Sequence, residues 1–210
     1  MKIKYELLNI LLLWMVILIS SCAVSKEQGG INKNTIVFLG NSITKVGKWQ
    51  ELLADKTIIN KGISGDITTG VLARLDDCLA AKPEKIFVMI GVNDLKIGKA
   101  IDTITANQKK IIAKIKTLSP KTKIYMQSTL PVHENMLADI YKRLNNKDIS
   151  QMNVALKELC KQMKVGYIDL YAIMLDENSQ LKKSWSTDGL HLKPDAYEAW
   201  VAYLKTNKLL

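Results

Sequence analysis

The apolar positions of this chain fall into two patterns. Thr35-Ile36-Val37-Phe38-Leu39 is an unbroken run of β-branched and aromatic residues that stops at Gly40-Asn41-Ser42. Lys56 to Asn60, Lys85 to Ile90, Lys123 to Gln127 and Val165 to Leu170 repeat it as short apolar runs closed by loop-type residues. Hydrophobicity that is continuous over so short a span marks strands buried on both faces. The segments between them carry helical spacing instead. Trp49 to Leu53 forms a short amphipathic stretch. Val71, Leu72, Leu75 and Leu79 share one side of a helix that runs to Leu79 and ends at Lys82-Pro83-Glu84. Ile101, Ile104, Ile111, Ile112, Ile115 and Leu118 define a long helix stopped by Ser119-Pro120, and Met152, Leu156, Leu159 and Met163 another. The last helix opens at Pro194, a favoured first helical position, and buries Trp200 and Leu204. Residues 132–147 read as a polar loop region. Strands alternating with amphipathic helices predict an α/β fold, a three-layer α/β/α sandwich around a five-stranded parallel sheet of flavodoxin-like type, with site-bearing loops at the carboxyl ends of the strands.

The amino end follows different rules. Lys2 and Lys4 precede an almost unbroken hydrocarbon run from Leu7 to Ile19, shorter than the roughly 20 residues a membrane-spanning helix needs. A cleaved export signal over residues 1–21 fits that length better than an uncleaved anchor. Ile19-Ser20-Ser21-Cys22 resembles the lipobox of bacterial lipoproteins. That resemblance implies a lipid on Cys22, a tether over residues 22–34 and a domain over 35–210. The protein would then be exported and held at a cell-envelope membrane by its lipid rather than by its fold.

The net charge of +10 comes almost wholly from lysine, since Arg74 and Arg143 are the only arginines. The lysines scatter over helix faces and loop ends. Nucleic-acid readers concentrate cations on one element, so no nucleic-acid partner is expected. Attraction to acidic glycans or anionic headgroups stays open. Cys78 and Cys160 both fall on apolar helix sides, which predicts buried free thiols rather than a bridge. No His/Cys spacing suggests a metal, and no cofactor is expected.

Four loops share the carboxyl edge of the predicted sheet: Gly40-Asn41-Ser42, Gly62 to Asp66, Gly91-Val92-Asn93-Asp94, and Asp188-Gly189-Leu190-His191 ahead of the last helix. They supply a hydroxyl nucleophile, a flexible backbone donor, an amide side chain and a carboxylate three residues before a histidine, the inventory of acyl transfer. Ser42 alone reads more readily as a helix N-cap than as a nucleophile. His191, with Asp188 near it, is favoured as base over His133, which has no acid that would obviously fix its tautomer and reads as a substrate-loop or surface residue. The N–H groups of Ser42 and Gly65 and the Asn93 amide are the expected oxyanion donors. Asn60, Asp66, Asp94 and Asp169 read as loop-holding residues. Thr44, Trp49, Asp94, His133, Met136 and Trp185 are the candidates for lining the pocket, although core packing is the commoner fate of such aromatic and sulfur side chains.

The joint occurrence of these motifs, in order, resembles the SGNH hydrolases, also called the GDSL esterases, over essentially all of Thr35 to Leu204. The resemblance implies Ser42 as nucleophile, Gly65 and Asn93 as the oxyanion glycine and asparagine, and Asp188 with His191 as acid and base. Asn41 stands where the family name implies aspartate. The run Asn60 to Leu75 is similar to the platelet-activating-factor acetylhydrolase-like and thioesterase-like branches. The implied activity is a metal-independent serine esterase acting on small acyl esters, with acetylated carbohydrate ahead of lipid or thioester substrates.

Rival readings fare less well. No Gly-x-Ser-x-Gly marks an α/β-hydrolase, and no Gly-x-Gly-x-x-Gly or Walker lysine loop follows the first strand. A non-catalytic glycan-binding lipoprotein is the remaining non-enzyme alternative, and the retention of every expected polar group weighs against it.

Overall fold

The computed structural model describes residues 32–210. The export signal, Cys22 and residues 22–31 of the expected tether lie outside the described residues. Residues 32–34, also assigned to that tether, are already strand.

Five strands form one sheet: β1 (Asn32–Gly40), β2 (Thr57–Gly62), β3 (Pro83–Met89), β4 (Lys123–Gln127) and β5 (Gly166–Ile168). Every pairing is parallel and the order is β2-β1-β3-β4-β5. The helices are α1 (Ser42–Val46), α2 (Trp49–Leu52), α3 (Thr68–Ala73), α4 (Leu75–Leu79), α5 (Val92–Lys96), α6 (Ile101–Leu118), α7 (Asn146–Met163), α8 (Leu170–Met174) and α9 (Pro194–Thr206). The expected three-layer α/β/α architecture is therefore the observed one.

Strand β1 shows why the pattern reads as it does. Ile36 and Phe38 enter one core with Trp49, Phe87, Trp200 and Leu204. Val37 and Leu39 enter the other with Leu75, Val88, Ile112 and Leu156. Alternate side chains of a strand point to opposite faces, and from Ile36 to Leu39 both faces are covered, so each of those positions is apolar. The first core is held by aromatic stacking: Phe38 lies 4.2 Å from the Trp49 ring and 5.1 Å from Phe87. Trp49 meets Trp200 edge-on at 4.9 Å. The polar ends of these indoles are satisfied, Trp49 Nε1 donating to the Thr44 carbonyl and Trp200 Nε1 to Gln127 Oε1.

Several element boundaries depart from expectation: α7 begins at Asn146, inside the expected loop 132–147, and β3 begins at Pro83, expected to end the preceding helix. The helix expected to run to Leu79 is two short helices that meet at Arg74, whose φ and ψ of −103° and 11° leave the helical region. Arg74 is engaged elsewhere, its guanidinium reaching Asp66 and the Gly40 carbonyl. Strand β5 is three residues long. Asp169 ends it by capping α8, accepting from the Ala172 N–H. Cys78 and Cys160 are buried free thiols, and burial pushes the Cys160 thiol up to about 12.

Order 2-1-3-4-5 puts β2 on one side of β1 and β3 on the other, so the loops leaving β1 and β3 diverge to opposite faces. The crevice between them lies at the carboxyl ends of these strands. Because Phe38 is clamped between two rings in the core beneath that crevice, Phe38→Ala should destabilise the fold by about 3–5 kcal/mol. Urea unfolding would read this as a lower midpoint at unchanged m-value; a loss under about 1 kcal/mol would contradict the packing described.

Candidate active site

Four loops meet at that crevice, and each delivers its polar group through a local device. Gly40 ends β1, and buried Asn41 caps α1 by accepting the Ile43 N–H at 3.0 Å. The amide oxygen does here what a carboxylate would do, so the departure at Asn41 leaves the turn intact. Ser42 follows as the first residue of α1, half-buried. Among the described residues neither the Ser42 N–H nor the Gly65 N–H has a protein acceptor.

Asn93 lies in α5, directly after β3. One N–H of its amide donates to the Asp66 carbonyl at 2.9 Å. An amide carries two N–H bonds, so the second is left for another acceptor. Asp66 is held in turn: its carboxylate pairs with Arg74 at 2.7 Å, and the same guanidinium donates to the Gly40 carbonyl at 3.2 Å. Arg74 thereby ties the Gly65 loop to the end of β1.

The histidine loop closes the arrangement. His191 Nε2 lies 3.0 Å from Ser42 Oγ, and His191 Nδ1 lies 2.6 Å from Asp188 Oδ2. A carboxylate only accepts, so Nδ1 carries the proton and Nε2 presents its lone pair to the serine hydroxyl. Asp188 Oδ1 accepts the N–H groups of Leu190 at 2.9 Å and His191 at 2.7 Å. Burial alone would raise the Asp188 carboxyl; the hydrogen bonds from the His191 ring and from the two N–H groups outweigh it and hold the carboxyl below its ordinary range. The turn between them needs Gly189, at φ +81°, where a Cβ would stand 2.6 Å from the His133 carbonyl oxygen.

Ser186 was not singled out from sequence. It is buried, donates to the His191 carbonyl at 2.7 Å and accepts the Gly189 N–H at 2.9 Å, so its hydroxyl sets the curvature of the catalytic loop. A serine five residues from a histidine carries no signal of such a role. Tyr141 was also missed; its ring meets the His191 ring edge-on at 6.2 Å between centroids.

Of the expected pocket lining, Thr44, Trp49 and Asp94 are corrected, while His133, Met136 and Trp185 are half-buried. Thr44 and Trp49 are buried at 2 % and 1 % exposure, and Trp49 belongs to the stacked core beneath the site. Asp94, at 1 % exposure, receives the backbone N–H and the hydroxyl of Thr68 at 2.9 and 2.7 Å. Burial raises its carboxyl despite those bonds. It locks the start of α3 to α5, the loop-holding role also read for it. His133 donates its backbone N–H to the Gly189 carbonyl, and Met136 packs against Gly189, so both brace the catalytic loop. Trp185 lies under the Lys182 ammonium at 4.0 Å and packs against the core. Asn60 holds the turn after α1 by donating to the Thr44 and Lys45 carbonyls. Among the described residues no three His, Cys, Asp or Glu side chains gather as a metal site would require.

An aligned hydroxyl, imidazole and carboxylate at the switch point of a parallel sheet is an arrangement suited to nucleophilic acyl transfer. Residues 38–199 match the GDSL-like lipase/acylhydrolase family, and the chain belongs to it. An arylesterase of Vibrio mimicus is 30% identical over 164 residues, 74% of this chain and 71% of its own. The N-acylneuraminate cytidylyltransferase of Streptococcus agalactiae serotype III is 29% identical over 143 residues, 65% of this chain. The chain spans about a third of the length of that curated relative, 32%. Among solved structures, one from Streptococcus pneumonia named for platelet activating factor aligns over 99% of both chains with a TM-score of 0.79 and 32% identity.

The lowered Asp188 carboxyl makes stability depend on pH with a definite sign. Its contribution is complete above the unfolded value of about 3.9 and is lost as pH falls through the lower folded value. Asp188→Asn should therefore melt below wild type at neutral pH, with the gap narrowing to nothing in strong acid. A gap that stays constant on acidification would remove the paired carboxylate from the account.

Proposed function

We propose that the protein is a serine esterase that removes small acyl groups, O-acetyl above all, from carbohydrate. The observation that carries this reading is the continuous line from Ser42 Oγ through His191 to Asp188. In it, Ser42 Oγ attacks the ester carbonyl carbon while His191 Nε2 takes the hydroxyl proton. Asp188 holds the Nδ1 tautomer and stabilises the imidazolium. The carbonyl oxygen, now negative, lies among the Ser42 N–H, the Gly65 N–H and the second N–H of Asn93. Collapse of the tetrahedral intermediate breaks the bond to the alcohol, which leaves with the proton from His191. Water, deprotonated by the same nitrogen, then attacks the acyl-enzyme and releases the acid and free Ser42.

Carbohydrate is favoured by the relative named for N-acylneuraminate, a sugar. A second reading, hydrolysis of an acyl group on a lipid, is favoured by the similarity to the structure named for platelet activating factor. Exposed Val46, Ile63, Ile97 and Ile140, in the segments that follow β1, β2, β3 and β4, support it too. The two readings differ in acyl length. A carbohydrate deacetylase accepts almost only acetyl esters, whereas a lipid hydrolase prefers octanoyl. We further propose export as a bacterial lipoprotein attached to a cell-envelope membrane through lipidated Cys22. Labelled palmitate should enter the wild-type chain and not Cys22→Ser.

Among the described residues Asp188 is the only partner of His191 Nδ1, so no other group would hold the ring if it were removed. Ser42→Ala and His191→Ala should each lower kcat/KM for p-nitrophenyl acetate by at least about 10⁴-fold, and Asp188→Ala by a similar order. Asn93→Ala should cost about 10²- to 10³-fold. A serine-directed phosphonate should label Ser42 alone, and His133→Ala should leave both labelling and turnover in place. An active Ser42→Ala enzyme would end the mechanism; acetate release from O-acetylated glycans would support the substrate class.

A further inference from the structure

Every strand of the sheet begins within two residues of a lysine. In sheet order these are Lys56 before β2, Lys33 in β1, Lys82 before β3, Lys123 at the start of β4 and Lys164 before β5. All the pairings are parallel, so these lysines share the edge of the sheet opposite the crevice, on strands that lie about 4.8 Å apart. Lys33, Lys82, Lys123 and Lys164 are exposed. The end of α6 adds Lys116, whose Nζ donates to the Met163 carbonyl and which lines, with Lys123 and Lys164, an open cavity of about 350 Å³.

Little balances this charge. Among the described residues only Lys56 of these lysines has a carboxylate within 4.0 Å, that of Asp55 at 3.5 Å. Glu84, near the start of β3, accepts the Asn34 N–H at 3.1 Å. Other carboxylates stand at the far edge, where Asp66, Asp94 and Asp169 follow the carboxyl ends of β2, β3 and β5. Lys85 and Lys123 are paired directly across β3 and β4, a placement that like charges disfavour. Burial lowers the Lys85 ammonium below its ordinary range, and the charges of Lys123 and Lys56 lower it further against the pull of Glu84. Lys82 and Lys164 lie at φ of 45° and 52°, in the turns after α4 and α7, where glycine is the ordinary residue and a side chain is strained. Strained residues cluster where the protein uses them.

A row of unneutralised ammonium groups along a whole edge matches an extended surface of phosphate charge better than one small anion. The chain that leads from Cys22 also joins the domain on this edge, at Asn32 in β1. A lipid chain and a polybasic patch together hold a protein at a membrane more firmly than either alone. We infer that this edge docks on anionic lipid headgroups, which turns the catalytic crevice away from the bilayer and towards substrate outside it. The inference rests on the membrane attachment proposed above and adds the surface and the orientation of contact.

The test places the full-length protein on vesicles of phosphatidylcholine, with or without an equal part of phosphatidylglycerol. An environment-sensitive fluorescent amino acid replaces either Pro120, exposed beside Lys121 on the basic edge, or Ile140, exposed beside the Tyr141 that meets His191. Emission from position 120 should shift to the blue only on vesicles that contain phosphatidylglycerol. About 1 M salt, where the screening length is about 3 Å, should reverse the shift. Position 140 should not respond. Lys82→Glu, Lys123→Glu and Lys164→Glu together should abolish the shift at 120 while p-nitrophenyl acetate is turned over at the wild-type rate. Lys82→Arg, Lys123→Arg and Lys164→Arg together should preserve it. Protein that floats with both vesicles yet shows no shift at 120, or equal shifts at 120 and 140, or an equal shift on phosphatidylcholine alone, overturns the inference and leaves membrane attachment standing. Protein that floats with neither vesicle overturns both. A shift produced by soluble polygalacturonate and not by vesicles makes the occupant an acidic glycan and overturns the inference.

Discussion

The site depends on β1 being buried on both faces between β2 and β3. A strand whose neighbours lie on either side and whose side chains enter two cores has no freedom to slide or tilt. A one-residue slip would send Phe38 and Ile36 into the core that Val37 and Leu39 occupy, exchanging large rings for smaller side chains on both faces. The position of Ser42, two residues beyond the end of that strand, is therefore inherited from the packing of the whole sheet. Trp49, read as a candidate for the pocket, contributes from below: stacked on Phe38, it fixes the end of α1 through its bond to the Thr44 carbonyl.

Around this fixed point the other loops are joined by buried and half-buried polar contacts. Arg74 binds Asp66 and the Gly40 carbonyl, Asn93 binds the Asp66 carbonyl, Asp94 binds Thr68, and Asn107 donates to the Thr68 hydroxyl. Each contact crosses from one loop or helix to another. Hydrogen bonds are directional, and a buried group left unpaired is costly, so such a set admits few alternative geometries. On the far side, Tyr197 in α9 donates to the Ile43 carbonyl at 2.7 Å, joining the helix after His191 to the helix that begins at Ser42. The distance between imidazole and hydroxyl is thus supported from both chain ends.

Much of this was legible along the chain because it is local. Apolar runs closed by Gly, Asn or Asp marked the strands and their order of appearance, and two helices began or ended where Pro194 and Ser119-Pro120 placed them. The residues that the structure brings to the crevice, Ser42, Gly65, Asn93, Asp188 and His191, were legible because each follows a strand or precedes a helix in a turn motif with its own chemistry. The break at Arg74 was not, because helix periodicity continues through it and the competing partners, Asp66 and Gly40, are read only in space. Thr44 was misplaced because its burial is decided only by the packing around it, and of the two readings of Asp94 the loop-holding one holds, through Thr68, 26 residues away.

The sequence by itself determined the architecture and the polar groups of the site, since side-chain period and turn chemistry are properties of neighbouring residues. Tertiary structure alone decided which of those groups meet. The 3.0 Å approach of Ser42 to His191 spans 149 positions of chain, and the placing of Tyr141 against the imidazole joins segments that share no periodicity. Such contacts are consequences of how the strands pack, and packing is a property of the whole chain rather than of any stretch of it.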